Sequence, residues 1–262
     1  LDPKAPATAY VPEFAGSAFG DATVEQIMDM TTGLAYTEVY TDPASDIFEM
    51  RKANGMAPPA PGKTPISLLE YLTTLKKKGQ HGDVFAYKTV NTDALAWIVR
   101  RVSGKPFSDL VSERIWQPMG AEEDAFYTVD RLGIESAGGG INTTTRDLAR
   151  FGEVMRNRGH FNGRQIIPAS VVDDIARGGA REKFAPGGFH TLVGWSYRNQ
   201  WWVSHNDHGV YMARGIHGQS IYVNPKAEVV IARYASHPMA GNINNDPITF
   251  PAFAAVATAL MG

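Results

Sequence analysis

The hydrophobic pattern of the chain changes near residue 190, and this change limits the folds that the chain can adopt. Before that point, apolar residues recur every three or four positions, as in amphipathic helices. After it, short apolar runs alternate with turn residues, which predicts strands at 193–203, 209–214, 216–223 and 228–235. A final apolar helix is predicted at 250–261. Helices followed by an antiparallel meander and a last helix indicate an α+β fold.

Several helices of the first part have recognisable start or stop signals. Thr23 with Gln26, and Thr144 with Asp147, have the spacing of capping pairs, and Gly104 is a stop signal. The helices are predicted at 23–31, 65–78, 91–103, 106–116, 143–158 and 168–177.

The same pattern predicts two regions along the chain. Residues 1–190 are expected to form a mostly helical region, and residues 191–262 to form the sheet with the C-terminal helix. Residues 36–65 are predicted to be a long surface loop, a length that is uncommon unless the loop binds something. No segment is long enough to be a linker between two cores. We therefore expect one integrated catalytic unit.

Composition excludes several classes of function. The formal net charge is −2 and the pI is about 6.4, which gives no electrostatic case for binding nucleic acid or an anionic membrane. No apolar run is long enough for a membrane span. The chain has no cysteine, so disulfides, thiolate chemistry and cysteine-ligated zinc are excluded. No cofactor and no metal are predicted.

Tyr87 and Asn91 lie four residues apart, just ahead of an apolar helix. A phenol normally keeps its proton up to about pH 10, but a neighbouring lysine cation lowers its pKa and makes it a usable base. The pair is therefore a candidate for proton transfer. The alternative is that Tyr87 is a buried aromatic residue and Asn91 a helix N-cap. An asparagine can be a cap and a site residue at the same time.

Gly215 and Ile216 lie on a predicted strand, where glycine is often kept because a ligand comes close. On that interpretation they belong to an edge strand that lines a site, and a peptide N–H there donates to an oxyanion. The alternative is a bulge or a tight bend. His217 by itself is more typical of a hydrogen-bonded structural histidine.

Other motifs have simpler explanations or are missing. The His-Asn-Asp-His segment at 205–208 has metal-capable side chains but no third ligand, and a polar hairpin turn explains it better. Trp195, Trp201 and Trp202 are expected in the core or in a pocket wall. There is no Gly-x-Ser-x-Gly, phosphate loop, dinucleotide fingerprint or His-Glu-x-x-His, and no serine has a lysine three residues later.

The order of the remaining segments resembles one enzyme family. The segments are residues 23–34, Tyr87 with Asn91, and residues 136–150, 161–168 and 215–219. Together they are similar to the serine β-lactamase-like hydrolases, which include class C β-lactamases, D-aminopeptidases and related esterases. Residues 91–99, 200–202 and 215–219 look most like the 6-aminohexanoate-dimer hydrolase (nylon-oligomer hydrolase) branch. The similarity runs over essentially the whole chain.

The resemblance implies a β-lactamase/transpeptidase-like fold and an acyl-enzyme mechanism. In the family, the serine of a Ser-x-x-Lys helix attacks an amide or ester carbonyl, and the lysine and a tyrosine manage the proton. Tyr87 matches the tyrosine, and the Ile216 N–H matches an oxyanion donor. The residues that the resemblance implies as substrate contacts are Tyr40, Asn91, Gly215, His217, Gln219 and Trp202.

The chain also departs from the family pattern. The spacing is Tyr-x-x-x-Asn rather than Tyr-x-Asn, and Ala213-Arg214-Gly215 stands where the family has Lys-Thr-Gly. Losing that lysine argues against a β-lactamase that grips a carboxylate there, unless Arg214 turns inward. The Ser-x-x-Lys motif is absent from residues 1–262. In the family it follows two N-terminal strands and lies shortly before the position of Leu1.

These departures define the expected partners. We expect a missing N-terminal segment of the same protein to supply the nucleophile and the strands that complete the sheet, and residues 1–262 alone to be poorly soluble. The other expected partner is a small-molecule amide or ester, with no nucleic acid and no membrane span. Bacterial cytoplasm and periplasm both stay open, because the segment that would carry a signal is not in the chain.

The leading hypothesis is the C-terminal portion of a serine hydrolase of amides or esters. It expects the Tyr87 hydroxyl to face a groove whose other wall carries Ile216. One alternative is a non-catalytic binding module with a penicillin-binding-like fold. The other is a D-aminopeptidase or a β-lactamase.

Overall fold

A five-stranded antiparallel sheet lies in the second part of the chain, where the sequence pattern predicts an antiparallel meander of four strands. The segment predicted as one strand at 193–203 forms a hairpin of two strands. The computed structural model describes residues 1–262. Its strands are β1 (Phe126–Tyr127), β2 (Ile141–Asn142), β3 (His160–Phe161), β4 (Arg164–Gln165), β5 (Ser196–Arg198), β6 (Trp201–Val203), β7 (Tyr211–Arg214), β8 (Ser220–Asn224) and β9 (Val229–Arg233). The large sheet has the order β5-β6-β7-β8-β9, and β1-β2 and β3-β4 are separate two-stranded ribbons.

The helices are α1 (Val24–Met28), α2 (Asp46–Ala53), α3 (Leu68–Thr74), α4 (Val90–Ser103), α5 (Phe107–Val111), α6 (Thr145–Arg156), α7 (Ala169–Arg177), α8 (Arg181–Phe184) and α9 (Asp246–Leu260). Together with the antiparallel sheet they confirm the predicted α+β class. None of them combines the length and the apolar character needed to span a bilayer.

The chain packs as two compact units. Unit 1 comprises Leu1–Leu110 and Ala125–Asn142, and unit 2 comprises Val111–Asp124 and Thr143–Gly262. These bounds differ from the predicted regions, which were divided at residue 190. The difference arises because α6 and α7 pack against the sheet, so their apolar faces belong to its core and not to the helical region.

Unit 1 is built from short helices around one apolar core. Thr23 and Gln26 form the predicted capping box at the start of α1, and Gly104, with φ of 68°, ends α4 in the left-handed conformation. The core joins α1 and α4 through buried side chains such as Ile27, Val90 and Ile98. This packing fixes the start of α4, and therefore the segment that carries Tyr87.

The predicted loop at 36–65 contains helix α2, so that prediction was wrong for these eight residues. Ile47, Met50 and Ala53 form the buried face of α2 at a spacing of three residues. The flanking Pro, Gly and Asn residues hid this short periodic stretch. The Asp46 carboxylate accepts from the Thr37 N–H at 2.8 Å, which fastens the start of the helix to the segment before it.

The large sheet of unit 2 is covered on both faces. Ile221 and Val223 of β8 pack on the α6 and α7 side, whereas Tyr222 packs against Phe253 of α9. Successive side chains of a strand point to opposite faces, so β8 is buried along its whole length. The predicted hairpin at 224–227 joins β8 to β9, and the Ala227 N–H donates to the Asn224 side chain at 3.0 Å.

Helix α6 lies directly on this sheet because one of its residues has no side chain. Thr144 caps α6 by accepting from the Asp147 N–H at 3.1 Å. A Cβ added at Gly152 would lie 2.4 Å from Val230 Cγ1 and 3.0 Å from Ile221 Cγ2. The close approach of helix and sheet therefore requires glycine at this position.

Candidate active site

The Tyr87 phenol in unit 1 has a polar neighbourhood that is acidic rather than basic. Tyr87 is partly buried. Burial raises the pKa of its phenol, and the nearby Glu38 and Asp93 carboxylates raise it further. The ammonium of the adjacent Lys88 donates to the backbone oxygens of Leu34 at 2.6 Å and Tyr36 at 3.0 Å. Among residues 1–262, the proton therefore stays on the phenol at neutral pH.

Glu38 organises the surroundings of Tyr40 and was missed in the sequence, where it sits inside the predicted loop. The Tyr40 hydroxyl and the Thr89 hydroxyl both donate to Glu38 Oε1 at 2.7 Å. The Thr89 N–H donates to Glu38 Oε2 at 2.7 Å. The Arg51 guanidinium lies 5.5 Å from the centre of the Tyr40 ring, a cation–π contact. Tyr40 is thus held at the side of α4 on which Thr89 lies.

Asp93 is a second acidic residue that the sequence analysis missed. It is buried in α4, and its Oδ1 accepts from the Gly138 N–H at 3.0 Å, while Oδ2 has no hydrogen-bond partner. Burial raises the pKa of Asp93 to about 7, against the opposing effect of the Gly138 hydrogen bond. A Cβ at Gly138 would lie 2.9 Å from Oδ2, so the Gly-Gly-Gly run lets this loop approach the carboxyl group.

Asn91 lies in the core of unit 1 and has no exposed surface. Its Oδ1 accepts from the Thr32 hydroxyl at 2.8 Å, and its Nδ2 contacts Met30 Sδ at 3.2 Å. The N-cap of α4 is Thr89, two residues earlier. An amide whose two atoms are both bonded within the core stabilises the packing of α4 on α1, and Asn91 is not retained as a proposed substrate contact.

The segment 215–218 in unit 2 is a tight connection and not an edge strand, which corrects the prediction. Residues Ile216–Gly218 form a single 3-10 turn between β7 and β8, and both strands are internal to the sheet. The Gly215 N–H donates to Gln219 O at 2.9 Å, and no acceptor in the chain takes the Ile216 N–H. This arrangement leaves one peptide donor available, as the oxyanion role needs.

His217 and Gln219 tie this turn to the segment after β9. His217 has φ of 56°, its N–H donates to Ala240 O at 3.0 Å, and its ring Nδ1 lies 2.7 Å from His237 O. The Gln219 amide donates to Ala235 O at 2.6 Å and accepts from the Ala235 N–H at 2.8 Å. Both polar side chains therefore have partners inside the protein.

Trp202 is buried and belongs to an aromatic cluster. It packs edge-on against Phe184, Phe189 and Tyr197, and the Arg214 guanidinium lies 5.1 Å from its ring centre. Arg214 turns inward to Asp246, with Nη2–Oδ1 at 2.5 Å. Since both groups are buried, the charge of Arg214 is neutralised within the fold. The Lys-Thr-Gly position thus offers no unpaired cation to a substrate.

The polar segment 205–208 is the connection between β6 and β7. His205 Nε2 lies 2.7 Å from the Ser196 hydroxyl, which also accepts from the Gly179 N–H at 3.0 Å. Ser196 has no exposed surface. The contact therefore joins β5, the β6–β7 turn and the end of α7, in line with the turn interpretation.

Comparison with known proteins settles the family. A family model described as Beta-lactamase matches residues 1–242. The chain belongs to the beta-lactamase family. It is 38% identical over 239 residues to the 6-aminohexanoate-dimer hydrolase of Paenarthrobacter ureafaciens. The alignment covers 91% of this chain and 60% of that enzyme. Two Mycobacterium tuberculosis proteins are 26% identical over 178 residues, and the match covers 42% of each.

Solved structures agree with this family assignment. A Bacillus anthracis protein named provisionally as a 6-aminohexanoate-dimer hydrolase aligns with a TM-score of 0.88 and 34% identity, over 99% of this beta-lactamase-family chain and 67% of that one. EstCE1, a hydrolase with promiscuous acyltransferase activity, aligns with a TM-score of 0.69 at 15% identity, which supports the fold alone. The chain spans about 60% of the Paenarthrobacter enzyme, so the activity of the whole protein belongs to the proposal below.

Proposed function

We propose that this chain is the C-terminal portion of a serine hydrolase that cleaves amides or esters through an acyl-enzyme. The nucleophilic serine and its lysine are assigned to a segment outside residues 1–262. The observation that carries the proposal is the 38% identity to a 6-aminohexanoate-dimer hydrolase over 91% of the chain. Tyr87 and the Ile216 N–H supply two of the groups that such chemistry needs.

Each group has a defined chemical task. The serine oxygen adds to the carbonyl carbon as its proton passes to the tyrosine–lysine pair, and the Ile216 N–H donates to the oxyanion. The C–N or C–O bond then breaks, and the leaving amine or alcohol takes that proton. Water repeats the addition on the acyl-enzyme, which releases the acid and returns the serine to its starting state. The lysine cation supplies the positive charge that lowers the Tyr87 pKa, which burial and two carboxylates raise in this chain.

Linear amides related to the 6-aminohexanoate dimer are the substrate class that we favour. The name of the Paenarthrobacter relative supports this choice. The pairing of Arg214 with Asp246 supports it too, because a β-lactam carboxylate would find no unpaired cation at that position. Tyr40, in the loop segment before α2, is the proposed closing contact over the substrate.

Assays on the complete protein test this proposal. We expect hydrolysis of the linear 6-aminohexanoate dimer and of nitrophenyl esters, little turnover of nitrocefin, and no preference for peptides of D-amino acids. A fluorophosphonate should add one mass label to a serine outside residues 1–262, as located by peptide mass spectrometry. Absence of both turnover and label would overturn the proposal and favour a non-catalytic binding module.

A further inference from the structure

The Gly215–Ile216 peptide is held by its carbonyl oxygen. Asn242 Nδ2 donates to Gly215 O at 2.8 Å. The chain has no cis peptide bonds, so the C=O and N–H of this peptide point in opposite directions in one plane. A hydrogen bond that fixes the carbonyl therefore fixes the direction of the Ile216 N–H, which no acceptor in the chain takes.

Asn242 is itself anchored at the start of α9. Its backbone oxygen accepts from the Asn245 N–H at 2.8 Å and from the Asp246 N–H at 2.9 Å. Asp246 in turn pairs with Arg214, the residue before Gly215. The start of α9 and the residues just before it therefore hold this region in two ways. Asp246 pairs with Arg214 at the end of β7, and the Asn242 amide donates to the Gly215–Ile216 peptide.

The Asn242 side chain leaves one polar atom unsatisfied. Its Oδ1 is buried and has no hydrogen-bond partner. A buried acceptor without a partner is destabilising, typically by about 1–3 kcal/mol. The unsatisfied Oδ1 lowers the stability of the fold. This loss of stability points to a functional role for the hydrogen bond from Nδ2 to Gly215 O.

We propose that Asn242 is a positioning residue for oxyanion stabilisation, acting through the Gly215–Ile216 peptide. The proposal rests on the hydrolase function proposed above. The Asn242 amide aims the Ile216 N–H, and donation to the carbonyl polarises the peptide, which strengthens the N–H as a donor. The hydrogen bond to the substrate oxygen is needed most in the transition state, so Asn242 acts on kcat more than on KM.

The first test is Asn242→Ala in the complete enzyme, assayed on a nitrophenyl ester and a linear amide. We expect kcat to fall roughly 10- to 100-fold while KM changes less than about threefold, below the 10²–10³-fold typical when an oxyanion donor is removed outright. Asn245→Ala is the matched control, because this neighbouring asparagine makes no side-chain cap to α9, and its kcat should stay within about twofold. An unchanged kcat in Asn242→Ala, or a change in KM alone, would overturn the proposal.

Asn242→Asp separates positioning from simple loss of structure. Its carboxylate cannot donate to Gly215 O, whereas its protonated carboxyl group can. We expect kcat of the variant relative to wild type to rise as pH falls from about 8 to about 5. The Tm of the variant, measured across the same range, checks that it stays folded. A ratio that does not vary with pH would contradict the donor role.

Binding of a boronic acid adds a readout that does not depend on turnover. The boronate forms a tetrahedral adduct on the serine and presents an oxygen to the oxyanion donor, so its affinity should weaken in Asn242→Ala by the same factor as kcat. An unchanged boronate affinity would contradict the proposal. If the wild-type protein neither turns over nor takes the boronate, the hydrolase function fails as well. If the wild type is active and Asn242→Ala has the same kcat and boronate affinity, the positioning role fails and the hydrolase function stands.

Discussion

At the scale of single residues, the environment of Tyr87 sets its chemistry. Burial and the Glu38 and Asp93 carboxylates all keep its proton in place. Tyr87 was predictable because its neighbours form a motif, but Glu38 and Asp93 have no local signature. Glu38 comes near Tyr87 through packing of the 36–40 segment against the start of α4, whereas Asp93 lies in the first turn of α4 itself. Sequence spacing alone therefore predicted the phenol and not the groups that control its pKa.

Replacing the phenol tests its proposed role directly. In the complete enzyme, Tyr87→Phe should lower kcat by about 10²–10⁴-fold, because it removes a proton-transfer group, while KM changes little. Steady-state kinetics on the linear amide and on an ester measure this.

Tyr36→Phe is the control for that experiment. The Tyr36 hydroxyl is buried without a hydrogen-bond partner, so its loss should leave kcat unchanged and stabilise the fold by about 1 kcal/mol. Equal kcat values for Tyr87→Phe and wild type would remove Tyr87 from the mechanism.

Asp93 predicts a pH-dependent term in stability. Its pKa of about 7 in the folded protein lies above the usual unfolded value of about 3.9. The folded state then binds the proton more tightly, so the stabilisation is complete below about pH 4 and is lost as the pH rises to about 7. Asn at this position does not titrate, and its Oδ1 can still accept from the Gly138 N–H.

The variant Asp93→Asn should therefore gain stability relative to wild type as pH rises. We expect the difference in unfolding free energy to grow by about 2 kcal/mol between pH 5 and pH 8, as measured by urea denaturation. A constant difference across this range would show that the Asp93 carboxyl is already ionised at pH 5 in the folded protein, so that its pKa is not raised.

At the scale of helices and strands, local signals in the sequence predict helix ends, whereas long-range contacts determine the conformation of the 215–218 turn. The caps at Thr23 and Thr144 and the stop at Gly104 were predictable because each acts within one turn of helix. The 215–218 segment was predicted to lie on an edge strand, with a bulge or a tight bend as the alternative, and the structure has the tight bend. Its bend depends on His217 at positive φ and on bonds to residues more than fifteen positions away.

Gly152 provides a test of helix–sheet packing. Alanine is about 1 kcal/mol better than glycine inside a helix, but its methyl group would lie 2.4 Å from Val230 Cγ1. Overpacking of this kind typically costs about 1–3 kcal/mol, so after the gain in helix propensity Gly152→Ala should lower the free energy of unfolding by up to about 2 kcal/mol. Thermal unfolding with Val230→Ala and the double variant completes the cycle, and additive effects would contradict direct contact.

At the scale of the whole molecule, α9 leaves an apolar face in contact with solvent. Ile248 and Leu260 are 74% and 67% exposed, and no charged residue lies between Asp246 and the end of the helix. The antiparallel meander and the family fold were readable from the sequence. The extent of this exposed face was not, because it depends on which side of α9 the sheet occupies.

A polypeptide of residues 1–262 alone should self-associate through this face. Ile248→Lys with Leu260→Lys should shift it toward monomer, because the two ammonium groups would be desolvated in the contact. Sedimentation velocity over a range of concentrations measures the effect. Phe126→Lys with Leu132→Lys adds equal charge at exposed positions of unit 1 and should leave association unchanged. Equal effects of the two pairs would mean that charge alone, and not the α9 face, controls association.

The hydrogen bonds between residues 34–38 and Lys88 with Thr89 have a consequence for how such an enzyme can diverge. The backbone oxygens of Leu34 and Tyr36 accept from the Lys88 ammonium, and the Glu38 carboxylate accepts from the Thr89 N–H and hydroxyl. Lys88 and Thr89 directly follow Tyr87. A mutation that reshapes this segment to admit a new substrate therefore also shifts the tyrosine backbone. Under the proposed function, these hydrogen bonds would link specificity to proton transfer, so new substrates should arise by paired changes in the two segments rather than by loop exchange.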